Sequence, residues 1–213
     1  ESEPTSSIVH SPLALVDKPF SPIQFAADKP FSPIQFAADK PYSPIEFFDV
    51  APALGIRFEY FNGQSAGKRI VETVGGGAGV VDFDADGWPD LYFPQGADAE
   101  TVPGAVPRTD QLYRNNQGTH FSELTAVAGI NEPLHSLSVT IGDPDNDGFA
   151  DVLVLNLGAE VLYRNQGDGT FVEDTPKTLR GKVDCSSAGA WADFDGDGMA
   201  DLYIVNYVTD WDR

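Results

Sequence analysis

The chain has 213 residues, of which 41% are hydrophobic and 22% are charged, as in a globular protein. Its 33 Asp and Glu outnumber its 13 Lys and Arg. The resulting formal net charge of -20 argues against nucleic-acid binding, which needs cationic side chains to neutralise phosphates, and favours cations or basic partners. No apolar run of about 20 residues predicts a membrane span, and we expect any signal peptide to be absent or already removed.

Residues 1–46 contain a tandem repeat of eleven residues. DKPFSPIQFAA begins at Asp17 and again at Asp28, and DKPYSPIEFFD begins at Asp39. The dense prolines prevent a helix and favour extended or polyproline conformations. We therefore predict a Pro-rich extended tail over 1–46. It would serve either as a semi-rigid tether or as a source of strand-forming segments, such as Ile23–Phe25, that add to the edge of a neighbouring sheet.

Residues 47–213 repeat on a longer scale, marked by three acidic loops. Loop 1 (82–90, DFDADGWPD), loop 2 (143–151, DPDNDGFAD) and loop 3 (193–201, DFDGDGMAD) begin 61 and then 50 residues apart. A strand of small residues precedes each loop, and a strongly β-forming run follows it. LYRNNQGTHF (112–121) and LYRNQGDGTF (162–171) then predict a third strand, a turn and a fourth strand. An all-β fold built from four-stranded antiparallel propeller blades follows from this pattern.

The blades of this region are incomplete. FFDVAPALGI (47–56) matches FSELTAVAGI (121–130), which predicts an outer fourth strand at the N-terminal side of the region. The third repeat reaches only its second strand by residue 213. The prediction is therefore a partial propeller of about two and a half blades plus an N-terminal outer strand. Such a set cannot close a ring, so we expect further blades in a longer polypeptide or an assembly with other chains.

Each acidic loop places aspartates at positions 1, 3, 5 and 9 and a glycine at position 6. Four carboxylates so close together repel one another unless a hard cation lies between them. Calcium takes six to eight oxygen ligands, and loops of this form supply them from positions 1, 3, 5 and 9 and from the carbonyl of position 7. About three calcium ions are therefore expected. The predicted ligands are Asp82, Asp84, Asp86, Asp90 and the carbonyl of Trp88; Asp143, Asp145, Asp147, Asp151 and the carbonyl of Phe149; and Asp193, Asp195, Asp197, Asp201 and the carbonyl of Met199.

The loops fit an EF-hand or a magnesium site less well. An EF-hand needs a glutamate at position 12 and flanking helices, but Phe93, Val154 and Ile204 stand there within β-forming runs. Magnesium prefers strict octahedral geometry and keeps its waters. Solvated turns without an ion would not account for three loops at matched positions. Three divalent ions would change the net charge from -20 to -14 (-20 + 6), so we expect calcium to stabilise the fold.

The D-x-D-x-D-G-x-x-D hairpins followed by LYRN…G…F resemble the FG-GAP/VCBS repeats of the extracellular cartilage-acidic-protein (ASPIC/UnbV-type) family, which is related to the integrin α-chain propeller. The resemblance covers roughly residues 47–213 and does not include the eleven-residue repeats. It implies a propeller, typically of seven blades, with calcium in the first hairpin of several blades. It also implies an exported protein used for adhesion or matrix contacts.

No catalytic pattern competes with this interpretation. His10, His120 and His135 have no zinc-ligand spacing, and no nucleophile motif is present. The sequence therefore predicts a non-catalytic, calcium-binding propeller module, secreted or at the cell surface, that mediates adhesion or assembly with other protein chains.

The alternative function is a carbohydrate-binding or carbohydrate-active propeller, lectin-like or lyase-like. In it, Trp88, Trp191 and Trp211 would stack on sugars, although such side chains more often pack between blades. The lone Cys185 is predicted to be either a small buried apolar residue or the partner of a cysteine outside this chain.

Overall fold

The computed structural model describes residues 7–9, 48–67, 69–97, 107–180 and 184–207. The chain divides into two compact units, Glu1–Ser11 with Val50–Arg213, and Pro12–Asp49. All the strands of the described residues belong to the first unit. The predicted tail, apart from residues 7–9, lies outside the described residues, as do its eleven-residue repeats and Trp211.

The described part of the chain is built from strands and one 3-10 helix, Ile70–Thr73, which agrees with the predicted all-β class. The strands are β1 (Ser7–Val9), β2 (Gly79–Val81), β3 (Asp90–Phe93), β4 (Gln111–Asn115), β5 (Phe121–Glu123), β6 (Ser136–Gly142), β7 (Asp151–Gly158), β8 (Val161–Asn165), β9 (Phe171–Glu173), β10 (Asp184–Ala192) and β11 (Asp201–Asn206). Within the described residues, no helix is long and apolar enough to span a membrane.

The predicted blades are confirmed. Strands β2 to β5 form blade one and β6 to β9 form blade two, each antiparallel and in chain order. The two blades share a register, because Tyr113 pairs with Glu123 and Tyr163 pairs with Glu173. Strands β10 and β11 form the first hairpin of blade three. In all three blades, the acidic loop connects the first strand to the second, as the repeat predicts.

Strand β7 lies at the centre of the described blades and is buried on both faces. Val152 and Val154 point into a cluster shared with blade one, which includes Phe83. Leu153 and Leu155 point into a second cluster, shared with blade three. Successive residues of a strand point to opposite faces of the sheet, so a strand that is covered on both faces needs apolar residues at every position. This accounts for the unbroken run VLVL.

Blade three has two further connections. Ser7–Val9 pairs antiparallel with Leu202–Ile204, so β1 lies beside β11, whereas the composition of 1–46 predicts an extended tail for these residues. At the other side of the hairpin, the start of β10 pairs with the end of β7 through Cys185 and Leu157. Cys185 is buried in a small apolar cluster with Val71 and Leu137, which supports its interpretation as an apolar core residue.

The predicted outer strand over 47–56 differs from the structure. Residue 47 lies outside the described residues, and Phe48–Val50 forms no strand. The turn that follows does repeat, since the carbonyl of Leu54 accepts the N–H of Phe121 as that of Ala128 accepts the N–H of Phe171. Strand β5 is held by β4, whereas none of the described strands takes the place of a third strand beside residues 48–50. The sequence match therefore identified a shared turn geometry rather than a paired strand.

Candidate metal centres

The aspartate at position 1 organises each acidic loop through its two carboxylate oxygens. In loop 1, Oδ1 of Asp82 accepts the N–H of Asp86 at 3.1 Å, and Oδ2 accepts the N–H of Gly87 at 2.9 Å. Oδ1 of Asp86 then accepts the N–H of Trp88 at 2.9 Å. Loops 2 and 3 repeat all three bonds with the same atoms. The chain therefore folds back on itself and turns the side chains of positions 1, 3 and 5 toward one another.

The backbone conformation that makes this possible is left-handed at two positions. The glycines at position 6 have φ of 85°, 93° and 87° in loops 1, 2 and 3. Position 4 is also left-handed, and it is occupied by a different residue type in each loop: Ala85 (φ 55°), Asn146 (φ 62°) and Gly196 (φ 79°). Glycine adopts such values without steric cost, asparagine tolerates them and alanine is strained by them.

Three carboxylates converge in every loop. In each group, one ligand oxygen from every aspartate lies within 4.8 Å of the others. Oxygens that surround one calcium ion at about 2.4 Å can be at most about 4.8 Å apart, so the groups have the size of half a coordination shell. The groups are Asp82, Asp84 and Asp86; Asp143, Asp145 and Asp147; and Asp193, Asp195 and Asp197.

The donor set in the loops fits a hard divalent cation. All the ligand atoms in the three groups are carboxylate oxygens, which suit calcium, magnesium and manganese. In addition, Oδ1 of Asp84 is buried and has no hydrogen-bond partner. A buried carboxylate oxygen without a donor is unfavourable, and a cation at the centre of loop 1 would satisfy it.

The aspartates at position 9 have a different environment. Asp90, Asp151 and Asp201 begin strands β3, β7 and β11, are buried, and do not belong to the three-carboxylate groups. Burial is the largest cause that raises the pKa of Asp90 and that of Asp151 to about 6, and the nearby carboxylates of positions 3 and 5 contribute to the same rise. Their proximity to these charges places them beside the groups. Whether position 9 binds the ion directly stays a prediction.

Position 9 also ties each loop to its blade. In loop 1, Oδ1 of Asp90 accepts the N–H of Asn115 in β4 at 2.7 Å, and Oδ2 accepts the N–H of Phe83 at 3.1 Å. In loop 3, Oδ2 of Asp201 accepts the N–H of Phe194 at 3.0 Å. The carboxylate thus fixes the second residue of its loop, and in blade one it also fixes the third strand.

Loop 2 breaks this rule. Oδ1 of Asp151 accepts the N–H of Asn165 at 2.8 Å, as in blade one, but Oδ2 is buried and has no partner. The second residue of loop 2 is Pro144, which has no N–H to donate. The unsatisfied oxygen is therefore a direct consequence of one residue in the sequence.

An arginine from the third strand of each complete blade reaches into the acidic loop. In blade one, Nε of Arg114 lies 2.6 Å from Oδ2 of Asp84, and its NH2 lies 3.0 Å from Oδ2 of Asp86. In blade two, Arg164 pairs with Asp145. Sequence reasoning missed these residues, although both occupy the same place in the repeated LYRN motif. Within the described residues, loop 3 has no ion pair with a cationic side chain.

The residues at position 7 are predicted to bind the ion through their backbone carbonyls. All three carry large side chains. The ring of Trp88 lies against Gly118, and that of Phe149 lies against Gly167, so each covers the turn between the third and fourth strands of its blade. Trp88 is 41% exposed and Met199 is 53% exposed. Trp191 instead packs at Gly142 and against the second core cluster, which favours a packing role over sugar stacking for this residue.

Comparison with known proteins agrees with this architecture. A model of the FG-GAP-like repeat matches residues 82–154 and 143–204, so each match begins at position 1 of an acidic loop and extends past the next one. Cartilage acidic protein 1 of Xenopus tropicalis is 28% identical over 131 residues, which are 60% of this chain and 20% of that protein. Integrin alpha-7 of Homo sapiens is 32% identical over 97 residues, which are 42% of this chain and 8% of that protein. The chain therefore spans a fifth or less of these curated relatives.

Proposed function

Because this chain belongs to the FG-GAP-like repeat family, we propose that residues 47–213 are a calcium-binding portion of a β-propeller that acts outside the cell in adhesion or assembly. Its partners would be other protein chains or further blades, and it would have no catalytic role. The observation that carries the proposal is the convergence of three carboxylates at the same positions of three successive hairpins. Similarity to an integrin α chain and to a cartilage acidic protein supports the extracellular setting.

The role proposed for calcium is to hold each hairpin in one conformation. The three carboxylates of each group, the carbonyl of position 7 and the carboxylate of position 9 would bind the ion. A calcium ion supplies the positive charge that lets these carboxylates stay ionised and close together. The hydrogen bonds that the aspartate at position 1 accepts from the backbone orient both of its carboxylate oxygens. The left-handed residues at positions 4 and 6 let the chain turn back on itself and close the loop. The ions would thus fix the rim of the propeller on which the loops lie.

Calcium titration tests this proposal. After treatment with a chelator, isothermal titration of the full chain should give about three calcium ions per molecule, as the three groups suggest. Because the ions bind the folded state, calcium at about 100 times its dissociation constant should stabilise the fold by about 2.7 kcal/mol per site. Asp82→Asn, Asp143→Asn and Asp193→Asn should each remove one ion.

Asp168→Asn is the matched control for these variants. Asp168 also accepts a backbone N–H, from Thr170 at 3.1 Å, but it lies in the β8–β9 turn outside the three groups. This substitution should leave three ions bound. A chain that binds no calcium, or whose melting temperature is the same with and without chelator, would refute the proposed function.

The alternative is a carbohydrate-binding or carbohydrate-active propeller. It is favoured only by Trp88, which is position 7 of loop 1 and has 41% of its surface exposed, so that it offers an aromatic face next to a candidate cation site. A glycan array probed with the calcium-loaded chain and again with chelator separates the two functions. Calcium-dependent glycan binding that Trp88→Ala abolishes would support the alternative, whereas its absence would favour adhesion to proteins.

We also propose that the eleven-residue repeats act as a tether or as donated strands in assembly. Strand β1 shows that a short segment from this part of the chain can add to a sheet edge. Deleting residues 17–38 removes two copies of the repeat and keeps β1. A fall in particle mass by light scattering would support strand donation, and an unchanged mass would support a tether.

A further inference from the structure

The carboxylate of Asp151 in loop 2 is only half satisfied. Asp151 is 1% exposed, and its Oδ2 has no hydrogen-bond partner, whereas Oδ2 of Asp90 and Oδ2 of Asp201 each accept an N–H from the second residue of their loop. A buried carboxylate oxygen without a donor is costly, and a cation bound beside it would satisfy it. The change that removes the donor is the proline at position 144.

This oxygen lies near the carboxylate group of loop 2. Asp151 is the last residue of the loop and lies in the field of Asp145 and Asp147, two members of that group. In loops 1 and 3, the same oxygen already accepts a hydrogen bond, which withdraws electron density from it and fixes its direction. An oxygen with no such bond is a stronger donor to a metal ion.

The arginines that contact the loops also favour tighter cation binding in loop 2 than in loop 1. In loop 1, Arg114 pairs with two carboxylates of the group, whereas in loop 2 Arg164 pairs with only Asp145 and also contacts Asp174, which lies outside the loop, at 3.3 Å. A guanidinium that holds two ligands competes more strongly with an incoming cation than one that holds a single ligand. At position 9, loop 2 therefore has the freer carboxylate oxygen, and its internal competitor is weaker than that of loop 1.

We propose that Pro144 is an affinity-determining residue, which leaves Oδ2 of Asp151 to bind the ion and makes the calcium site of loop 2 tighter than that of loop 1. This inference rests on the proposed function, because it ranks sites that the proposal assigns to calcium. It makes the hairpins of blades one and two unequal, so that loop 2 fills before loop 1 as the calcium concentration rises.

Single-site chains test the ranking. Asp82→Asn with Asp193→Asn keeps only loop 2, and the two other pairs of position-1 substitutions keep only loop 1 or only loop 3. Calcium dissociation constants are measured by competition with a fluorescent chelator. Loop 2 should bind about tenfold more tightly than loop 1, the scale set by one hydrogen bond to a charged group that no longer competes for the oxygen.

Two reciprocal substitutions test the cause. Pro144→Ala restores an N–H at position 2 that would compete for Oδ2 of Asp151, so it should weaken loop 2 by about tenfold, while Phe194→Pro removes the corresponding N–H from loop 3 and should strengthen that site. Phe194→Ala is the control for loss of the ring, which packs on Tyr203 at 6.4 Å between centroids, and it should leave the affinity of loop 3 unchanged. Thermal melts in chelator establish that each variant folds, and the gain in melting temperature on adding calcium should shrink in Pro144→Ala.

The outcomes separate the two proposals. If no loop binds calcium, the proposed function fails. If loops 1 and 2 bind with similar constants, or if Pro144→Ala leaves the affinity of loop 2 and its calcium-induced stabilisation unchanged, calcium binding stands and the role of Pro144 is overturned.

Discussion

At the scale of single residues, position 4 of the acidic loops has a left-handed backbone and holds a different residue type in each loop. Ala85 has φ of 55°, a conformation that costs an L-residue with a β-carbon about 1 kcal/mol, whereas Gly196 has φ of 79° at the same place without that cost. Ala85→Gly should therefore raise the free energy of unfolding by about 1 kcal/mol, measured by urea denaturation in saturating calcium.

The reverse substitution, Gly196→Ala, is the matched test in loop 3 and should lower stability by a similar amount. Asn146→Gly should have a smaller effect than Ala85→Gly, because asparagine tolerates this region of the backbone map. Equal stabilities for Ala85→Gly and the parent chain would show that the alanine is not strained.

The sequence predicts the three-carboxylate groups of the loops, but not the residues that contact those carboxylates or change their hydrogen bonds. Aspartates at alternate positions with a glycine at position 6 were enough to predict that positions 1, 3 and 5 converge, because this spacing leaves few ways to fold. Arg114 and Pro144 were missed for a different reason. The contact of Arg114 with loop 1 crosses from β4 to the first hairpin, and the importance of Pro144 appears only when its missing N–H is compared with the donor in the other loops.

At the scale of elements, a buried acid connects the strands of blade one. Asp110, which precedes β4, accepts the hydroxyl of Tyr92 in β3 and the N–H of Gln95, both at 2.7 Å. Its side chain is buried, and desolvation raises its pKa to about 7. The acid is therefore protonated in the folded chain over a range in which it is ionised in the unfolded chain.

This shift predicts a pH dependence of stability. Since the folded pKa lies above the unfolded value of 3.8, the folded state binds the extra proton between about pH 4 and pH 7, and stability from this group falls as pH rises through that window. Asp110→Asn mimics the protonated acid and should remove this fall, gaining up to about 4 kcal/mol over the parent at pH 8 relative to pH 4.

Urea denaturation of both chains from pH 4 to pH 8 in chelator measures the difference, in which the titration of the loop aspartates cancels. Glu132→Gln is the comparison, because burial raises the pKa of Glu132 to about 7 as well and the same sign is expected. A parallel pH profile for Asp110→Asn and the parent would exclude a buried, protonated Asp110.

The strands were predictable from sequence where their own pattern of apolar residues indicates the strands against which they pack. The run VLVL of β7 and the repeated LYRN strands formed as expected, because their apolar faces meet equivalent blades. Two elements were not. Residues 47–56 match a segment that begins with β5, but none of the described strands lies beside residues 48–50 as β4 lies beside β5, and Ser7–Val9 pairs with the remote edge of β11. When the pairing partner of a strand is remote in sequence, the residues of the strand itself do not indicate which partner it has.

At the scale of the whole molecule, the blades are coupled by more than apolar packing. Nδ2 of Asn165, in the third strand of blade two, donates to the carbonyl of Phe83 at 2.9 Å, and Phe83 is position 2 of loop 1. The same side chain also donates to the carbonyl of Ala150 in its own loop, at 3.2 Å. Asn115, its equivalent in blade one, donates to Pro89 of its own loop. Asn165 therefore makes a hydrogen bond between the two blades, whereas the bond from Asn115 stays within blade one.

Asn165→Ala should destabilise the chain by about 1–2 kcal/mol more than Asn115→Ala, because it also leaves the buried carbonyl of Phe83 without its donor. Urea denaturation in saturating calcium measures both losses against the parent. Since that carbonyl belongs to loop 1, the calcium affinity of loop 1 should fall in Asn165→Ala even though the substitution lies in blade two. Equal destabilisation by the two variants, with loop 1 binding calcium as in the parent, would show that the bond contributes nothing and that apolar packing alone joins the blades.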